Sequence, residues 1–584
     1  MNENIEIIEH DKTNINNKKI NKTGRKKDPA REYYIKRDNK LYCIINNCNF
    51  SFSSNTSISV LKTHIKNCHN DIINKQNKDG DKNNNEFKDK NDLIVLNDIN
   101  DDSVYTLFSI VFAKKSLPYS LIEDKHFNLA IEMYSKVPNL IMSAYKLKEK
   151  TLINGEKIYK DVINNLSKNK TPITLAIDGW TNVRSNKVTN ILLMSNGNAN
   201  FYSSIENYSS NNKADWLVSQ LEIKINELIN NNVIIVAITT DNENLMKAVC
   251  KKLKIIYPVL IDIPCCSHLF QLCLKSICDI DEINKVVKEV VYIINTVKNT
   301  RINAVKLEDL QKVDGIKIPL KLIVPIMIRW ASLIMSMERI LYLQKYIELI
   351  IPDLKKDTWN DINNLYLYIK PFKNYIDQSQ KNNVTLCTIS KSISELITHF
   401  KKVEVPAYLN RNKKDIVKII KDKWNKHINE TIIKVANCLN FDETVKIDSD
   451  VIDFIKNWGS IYLSVYKLVT EKDMDIIKGI INLQIRELIS KQSEFINLYK
   501  IIDDLKKICA IKEKNYNPIL VWSGFIATHY ELSTIAIGIL SICPSEASVE
   551  RSFSMQSDIH SLDRNKLSSE LIEAELRIKF NIDK

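Results

Sequence analysis

The sequence predicts an α+β protein of several domains, in which a mixed sheet with helices is interrupted by a large all-α insertion. Three observations support this prediction. Short apolar runs of strand length alternate with segments of helical spacing between residues 169 and 285. From residue 407 to residue 517 there is no proline, and apolar residues recur at helical spacing. Cysteines and histidines cluster in a short segment near the N-terminus, which indicates a small ββα-like module.

The composition indicates a soluble intracellular protein. Of its 584 residues, 44% are apolar and 26% are charged, so the chain can bury a hydrophobic core. No apolar run approaches the roughly 20 residues that a membrane span needs, and the N-terminus lacks the layout of a secretory signal. With only 10 glycines and 13 prolines, collagen-like and proline-rich classes are excluded. The formal net charge of +13 indicates a polyanionic partner.

Positive charge is concentrated near the N-terminus. Residues 12–40 contain eleven lysines and arginines against three acidic residues. Such a run forms either a solvated tail or an arm that contacts phosphates or directs nuclear import, centred here on Arg25, Lys26 and Lys27. We expect residues 1–26 to form a basic disordered tail.

Residues 27–72 are predicted to form a zinc finger. Twelve cysteines are few for a disulfide scaffold in a chain of this length, so free thiols are expected. Two cysteines separated by four residues are followed, after fifteen more, by a histidine on a segment of helical spacing. This order of soft and borderline ligands suits a closed tetrahedral Zn²⁺ site. The candidate ligands are Cys43, Cys48, His64 and His69, with Cys68 possible in place of His69.

The finger segment is similar to a known module. Tyr42 and Cys43, then Thr56 and Ser57, and the run at 59–64 together resemble a BED-type zinc finger, a DNA-binding module of chromatin proteins and transposases. The segment departs from that pattern in having four residues rather than two between its cysteines.

Two segments separate the finger from the predicted sheet. Residues 73–104 are rich in Asn, Asp and Lys and read as a low-complexity linker. Residues 105–168 regain apolar periodicity and are predicted to form a small helical domain.

The next segment has the element order of a ribonuclease H-like fold. Three strand-like runs come first, the second and third joined by the turn signal Asn196-Gly197, and helices then alternate with two more strands. The predicted strands cover 173–178, 188–195, 200–207, 233–240 and 259–264, and the predicted helices cover 216–229 and 243–253. The first part of this catalytic domain is placed at 169–285, the all-α insertion at 286–517, and the second part at 518–584.

Two of the predicted strands end in an aspartate, Asp178 on the first and Asp241 on the fourth. In this fold those strands are parallel neighbours, about 4.8 Å apart. Two carboxylates so close repel each other, and divalent cations are the usual reason to keep them together. With a third acid they can hold two Mg²⁺ ions. The alternative is that both aspartates simply cap the helices that follow.

Several motifs resemble those of hAT-family DNA transposases, in the order of that family. The similarity covers about 105–584. The motifs are Ala176–Thr181, Thr240–Met246, Cys265–Leu269, Arg329–Ser332 with Met337–Arg339, and Ala547–Ser554 followed by Arg564–Leu567. Residues 520–540 resemble the family's C-terminal dimerisation region.

The resemblance implies a role for each matching residue. Asp178, Asp241 and Glu550 correspond to the metal-binding DDE triad, with Glu546 as a rival third acid. Arg329 and Trp330 correspond to a pair that acts near a flipped base, Trp330 as a stacking face. His268, close to Cys265, has either a DNA-contacting or a structural role.

The resemblance also implies a function. We expect a cut-and-paste DNA transposase that binds element ends and catalyses strand cleavage and strand transfer with Mg²⁺ or Mn²⁺. Its partners are expected to be double-stranded DNA, at the element ends and at the target, and further copies of the chain in a homodimer or a higher homo-oligomer. Its expected location is the nucleus. Two alternatives stay open, namely a domesticated DNA-binding regulator without catalytic activity and an RNA-cleaving ribonuclease H relative.

Overall fold

The computed structural model divides the chain into two compact units, Met1–Asn97 and Asp98–Lys584. The structure describes residues 34–37, 40–43, 48, 50–53, 56–68, 101–135, 143–207, 213–241, 243–326, 330–409, 413–442, 444–492, 495, 498–511, 516–561 and 564–582. Most of the predicted basic tail and linker lies outside these residues, as do Arg25, Lys26 and Lys27. None of the described helices combines the length and apolar character that a membrane crossing requires.

The first unit is a three-stranded antiparallel sheet with one helix. Its strands are β1 (Tyr34–Arg37), β2 (Lys40–Cys43) and β3 (Ser51–Ser53), in that order, and its helix is α1 (Ile58–Cys68). Tyr34, Leu41, Leu61 and Ile65 form its small core. The Tyr34 hydroxyl donates a hydrogen bond to the Leu61 carbonyl at 2.8 Å and so fastens the helix to the sheet.

The second unit begins with helices that lead into the sheet. These helices are α2 (Asp101–Lys115), a 3₁₀ turn (Tyr119–Glu123), α3 (Lys125–Ser135) and α4 (Ala144–Lys168). Ser143 caps α4, because its side-chain oxygen accepts a hydrogen bond from the Tyr145 backbone N–H at 3.2 Å. These helices cover the segment for which a small helical domain is predicted from the sequence, and its existence as a separate domain stays a prediction.

The central sheet has five strands in the order β6-β5-β4-β7-β8. Its strands are β4 (Pro172–Thr181), β5 (Lys187–Ser195), β6 (Asn198–Asn207), β7 (Ile234–Thr240) and β8 (Ile261–Pro264). The first three are antiparallel neighbours, whereas β7 runs parallel to both β4 and β8. Asn196 and Gly197 both have positive φ, which fits the predicted two-residue hairpin turn. The prediction of a mixed sheet within an α+β protein is confirmed.

Helices follow the sheet strands and then continue for more than two hundred residues. Those between and just after the last strands are α5 (Lys213–Asn230), α6 (Asn244–Ile256), α7 (Cys266–Cys278) and α8 (Asp281–Lys298). The long helical segment continues with α9 (Arg301–Val313), α10 (Ala331–Tyr342), α11 (Gln344–Ile350), α12 (Lys356–Ile369), α13 (Pro371–Ser379), α14 (Leu386–Lys402), α15 (Lys413–His427), α16 (Glu430–Leu439), α17 (Ser449–Val465), α18 (Met474–Ser490) and α19 (Leu498–Ile511).

The helical segment packs directly on the sheet. The Tyr466 hydroxyl, just after α17, donates to the Ile235 carbonyl at 2.7 Å and accepts from the Ile235 N–H at 3.0 Å. The Trp458 indole N–H donates to the Val259 carbonyl at 2.8 Å. Trp458 is buried in the same hydrophobic core as the strands and Tyr466, partly buried, packs against it, so the segment predicted as an insertion shares the core of the sheet.

The last four helices return the chain to the sheet. They are α20 (Pro518–Gly524), α21 (Tyr530–Leu540), α22 (Ala547–Ile559) and α23 (Ser569–Asn581). Helix α22 lies against β4 and β5, and α23 lies against β6 and α4. At the crossing of α4 and α23, a Cβ on Gly155 would stand 2.7 Å from the backbone of Ala574, so the close approach requires glycine.

A buried ion pair within this C-terminal region is hydrogen-bonded to Tyr119, in the 3₁₀ turn that precedes the sheet. Arg564 donates to the fully buried Glu575 at 2.7 Å, and the Tyr119 hydroxyl donates to the same carboxylate oxygen at 2.7 Å. Burial raises the pKa of Glu575, while the nearby Arg564 charge opposes that rise. Arg564, which the sequence places in a C-terminal motif, therefore has a structural role here.

Candidate functional site

The sheet brings Asp178 and Asp241 side by side. Their preceding residues, Ile177 and Thr240, are paired in the parallel register of β4 and β7. Asp241 therefore directly follows β7, and Asp178 lies inside β4, directly after its last pair with β7. Both aspartates thus stand at the carboxyl edge of the parallel pair, where open α/β sheets place their sites. The Gly179 N–H donates to Asp178 Oδ1 at 2.7 Å, and the Glu243 N–H donates to Asp241 Oδ1 at 3.2 Å.

Helix α22 lies over the face of the sheet to which these aspartates belong. Asn190 is paired with Asp178 across β4 and β5, so both side chains leave the sheet on one face. The Asn190 amide donates to Ser552 Oγ at 2.9 Å and to Gln556 Oε1 at 3.0 Å, both on α22. The first turn of this helix therefore places Glu550 above the strand ends.

An aromatic stack aligns the two motifs that carry the acids. Trp180, two residues after Asp178, stacks on Phe553, three residues after Glu550, with ring centroids 5.6 Å apart and planes at 21°. Stacked rings add about 0.5–1.5 kcal/mol beyond their buried area. The spacing of Trp180 and Phe553 within their motifs thus fixes α22 relative to β4.

Burial and negative neighbours raise the pKa of both aspartates. Burial is the main cause for Asp178, whose pKa rises to about 7, and the charges of Asp241 and Glu550 raise it further against the Gly179 hydrogen bond. Burial likewise raises the pKa of Asp241 to about 6, with Glu243 adding to the rise and Lys247 opposing it. The site is therefore an electronegative pocket that favours a cation or a proton.

A fourth acid, Glu546, lies at the start of α22. It is only 4% exposed, and its Oε2 atom has no hydrogen-bond partner among the described residues. Burial raises the pKa of Glu546 well above its ordinary value, and the negative charges of Asp178 and Asp241 raise it further. A hydrogen bond with Cys265 opposes the rise. The rival third acid is therefore part of the same pocket as the triad candidates.

The carboxylates are more widely spaced than the ligands of the finger. Among the described residues, the one group of three or more potential ligands with all its ligand atoms within 4.8 Å of one another is Cys43, Cys48 and His64. The acids of the sheet do not meet this criterion as a set. A pair of cations about 3.5–4 Å apart does not require all its ligands to converge on one point.

The finger brings three of its four predicted zinc ligands together. Cys48 Sγ lies 3.5 Å from His64 Nε2, and Cys43 and His64 are both buried. The rings of Phe50 and Phe52 pack around His64, with centroids 5.1 and 5.2 Å away. Two thiols and an imidazole at these distances suit Zn²⁺.

The fourth zinc ligand is not settled by these contacts. Cys68 is the last residue of α1, and His69 lies outside the described residues. Either residue follows His64 by about one helical turn, so the choice between them stays a prediction.

The other predicted DNA-binding residues have different outcomes. His268 lies in the first turn of α7, half-buried, and burial lowers its pKa while Glu243 opposes that change. Trp330 is only 6% exposed and belongs to the hydrophobic core, so a base can stack on its ring only after neighbouring residues move. Arg329 lies outside the described residues. Its predicted role and that of Trp330 stay predictions.

A set of basic residues near the acids was not predicted from the sequence. Lys247 on α6 affects the pKa of both Asp241 and His268, and the pKa of His427 on α15 is lowered by burial and then by Lys247. The signal that could have found them is the composition of α15, which holds six lysines against two aspartates.

Two family models match the chain. One is described as a domain of unknown function (DUF659) and matches residues 142–293, and the other is described as the hAT family C-terminal dimerisation region and matches residues 495–582. The first matched segment contains Asp178 and Asp241, and the second contains Glu550. A search of curated proteins finds no match.

Proposed function

Because both matches support an hAT-family transposase, we propose that the chain binds the ends of a mobile DNA element and catalyses strand cleavage and strand transfer. The observation that carries this proposal is the placement of Asp178 and Asp241 directly after the last residue pair of the parallel strands β4 and β7, with α22 packed against β4. The matched dimerisation region supports homo-oligomerisation.

The carboxylates of the pocket suit hard divalent cations. Asp178, Asp241 and Glu550 would hold Mg²⁺ or Mn²⁺, because oxygen ligands with surplus negative charge are what such ions prefer. When bound, the metal would activate the attacking oxygen and neutralise charge on the leaving oxygen. The raised pKa values of Asp178 and Asp241 support this assignment, since both are carboxylates that lack a full countercharge.

The residues of the chain supply the remaining requirements. The Gly179 and Glu243 N–H groups fix the orientation of the two aspartates by hydrogen bonds to Oδ1. We assign duplex recognition to the finger and the basic arm at Arg25, Lys26 and Lys27, and the site of action to the nucleus. His268, at the edge of the pocket, would contact the bound strand.

The proposal is tested by incubating the full chain with DNA fragments that carry the repeats flanking its coding region. Mg²⁺-dependent nicking at the ends of the repeats, and not elsewhere, is the expected result. Sequence-specific binding without any cleavage would instead favour the non-catalytic DNA-binding regulator. Cleavage of RNA in RNA–DNA hybrids alone would favour the ribonuclease H relative.

The pKa shifts predict how added metal should affect stability. Asp178 binds its proton more tightly in the folded protein than in the unfolded chain, so the metal-free protein loses stability as pH rises towards about 7. Bound metal favours the ionised carboxylates and offsets this loss. We expect Mg²⁺ to raise Tm more at about pH 8 than at about pH 5.5, measured by calorimetry. An equal Tm increase at both pH values would contradict the assignment.

Arg551 is predicted to keep Glu550 in place. Its guanidinium donates to the Gln380 carbonyl at 3.2 Å, to Ser548 Oγ at 2.6 Å and to Asn382 Oδ1, which ties α22 to the loop between α13 and α14. We expect Arg551→Ala to lower the cleavage rate about tenfold, which corresponds to about 1.4 kcal/mol. Arg551→Lys should recover only part of the loss, because lysine lacks the planar fork.

The control for Arg551 is Arg486→Ala on α18, an exposed arginine with no ion pair among the described residues. Its cleavage rate should equal that of the unmodified protein. A full rate in Arg551→Ala would show that the loop contacts do not position Glu550.

A further inference from the structure

Lysine and histidine side chains from three helices border the acidic pocket. This basic rim consists of Lys247 on α6, His268 on α7, and Lys423, Lys426 and His427 on α15. Helix α15 packs against α7, where Cys273 Sγ lies 4.0 Å from the Ile420 carbonyl. Because α7 starts directly after β8, this packing brings the end of α15 to the side of the pocket where His268 stands.

The rim residues share one local electrostatic environment. After burial, the causes of the lowered pKa of His427 are Lys247, Lys426, Lys423 and His268, in that order. Lys247 lies in the first turn of α6, which begins three residues after Asp241, and its N–H donates to the Glu243 carbonyl at 3.0 Å. Lys247 is therefore close in the fold to the acid at the end of β7.

The rim lysines have no acidic partner among the residues that the structure describes. Lys247 and Lys426 are exposed and Lys423 is half-buried, and none of the three forms an ion pair with a described residue. At the other end of α15, by contrast, Lys413 pairs with Glu404 at 2.8 Å. Unpaired cations held close together repel one another, so the rim should gain stability from a bound polyanion.

We propose that the basic rim binds DNA phosphates that neighbour the phosphate at the acidic pocket. This inference rests on the proposed function. The ionised carboxylates of the pocket repel a polyanion, and the three lysines along its border would hold the duplex there despite that repulsion. Because duplex DNA carries one charge per about 1.7 Å of axis, a strand that reaches Asp241 places further phosphates beside it.

The DNA path follows from where the rim residues stand. Lys247 belongs to the helix after β7, and Lys423 and Lys426 belong to the long helical segment. The bound strand would run from the strand ends across the first turn of α7 to the C-terminal end of α15. The helical segment would then act in substrate binding, independently of Arg329 and Trp330.

The inference is tested with the double variant Lys247→Gln, Lys426→Gln in the full chain, in buffer without Mg²⁺ so that DNA is bound but not cut. Affinity for a labelled duplex is measured by fluorescence anisotropy over a range of salt concentrations. Each lost phosphate contact should reduce the slope of log affinity against log salt by about 0.9. We expect a slope smaller by about 1–2 and roughly tenfold weaker binding at about 0.1 M salt.

Two further variants complete the experiment. Lys157→Gln with Lys168→Gln removes two exposed lysines of α4 and should leave the slope unchanged. Lys247→Arg with Lys426→Arg should restore it, because arginine also binds phosphate. An unchanged slope in the rim variant would overturn this inference while leaving the proposed function in place. Absence of DNA binding by the unmodified chain would overturn both.

Discussion

Replacing Asp178 by asparagine is expected to lower DNA cleavage by about 10³-fold or more, a loss of at least about 4 kcal/mol of transition-state stabilisation. Asparagine keeps the shape of the side chain and an oxygen that can accept from the Gly179 N–H. It removes the negative charge that a divalent cation requires. The measurement is the single-turnover rate of nicking at the element ends with saturating Mg²⁺.

The matched control for this variant is Asp262→Asn. Asp262 lies on β8, paired with Ile238 of β7, and its side chain is exposed between two buried neighbours. The same change in charge at this position should leave the rate unchanged. The Asp178 variant should also unfold at an equal or higher temperature in metal-free buffer, because it removes a carboxyl whose ionisation is opposed by burial. A folded Asp178→Asn protein that nicks DNA at the normal rate would refute the site assignment.

The same assay separates the two candidate third acids. Glu550 lies half-buried in the first turn of α22, where it can reach a shared cation, and we expect Glu550→Gln to be as inactive as Asp178→Asn. Glu546 is nearly inaccessible and hydrogen-bonded to Cys265, and its burial, which raises its pKa, makes it a poor ligand for a shared cation. We therefore expect Glu546→Gln to retain most of the activity. An active Glu550→Gln protein together with an inactive Glu546→Gln protein would identify Glu546 as the third acid of the triad.

Most of the sheet could be predicted from the sequence because its signals are local. Apolar runs of strand length, the Asn196-Gly197 turn and the order of the elements were sufficient to place β4 to β8 within a few residues. The pairing of Asp178 with Asp241 followed from that order alone. The spacing of cysteines and His64 was also a local signal, and the structure brings those ligands together.

The remaining contacts could not be predicted because they join residues far apart in the chain. Nothing around Trp180 indicates that its ring stacks on Phe553, and nothing around Arg551 indicates that it reaches the loop at Asn382. Motif matching marked Trp180, Arg551 and Phe553 without giving their roles. In the structure these three residues align α22 over the sheet. This alignment brings Glu550 close to Asp178 and Asp241.

Removing zinc is expected to unfold the N-terminal unit. Its core contains only a few apolar side chains, among them Tyr34, Leu41 and Leu61, which is too little to stabilise a segment of this size alone. A structural Zn²⁺ contributes on the order of 10 kcal/mol to the folding of such modules. We expect Cys43→Ser to abolish zinc binding, measured as metal content of the full chain, and to make residues 34–68 sensitive to proteases.

The control and the choice of fourth ligand use the same measurements. Cys509→Ser alters a half-buried thiol on α19 and should retain about one zinc per chain. Between His69→Ala and Cys68→Ser, only the variant that removes a true ligand should lose zinc, and we expect that variant to be His69→Ala. If Cys43→Ser retained its zinc and its protease resistance, the two thiols and His64 would be packed side chains and not a zinc site. Specific DNA binding would then have to come from elsewhere in the chain. Loss of zinc together with loss of specific binding, but with Mg²⁺-dependent nicking of DNA retained, would show that recognition and chemistry reside in separate units.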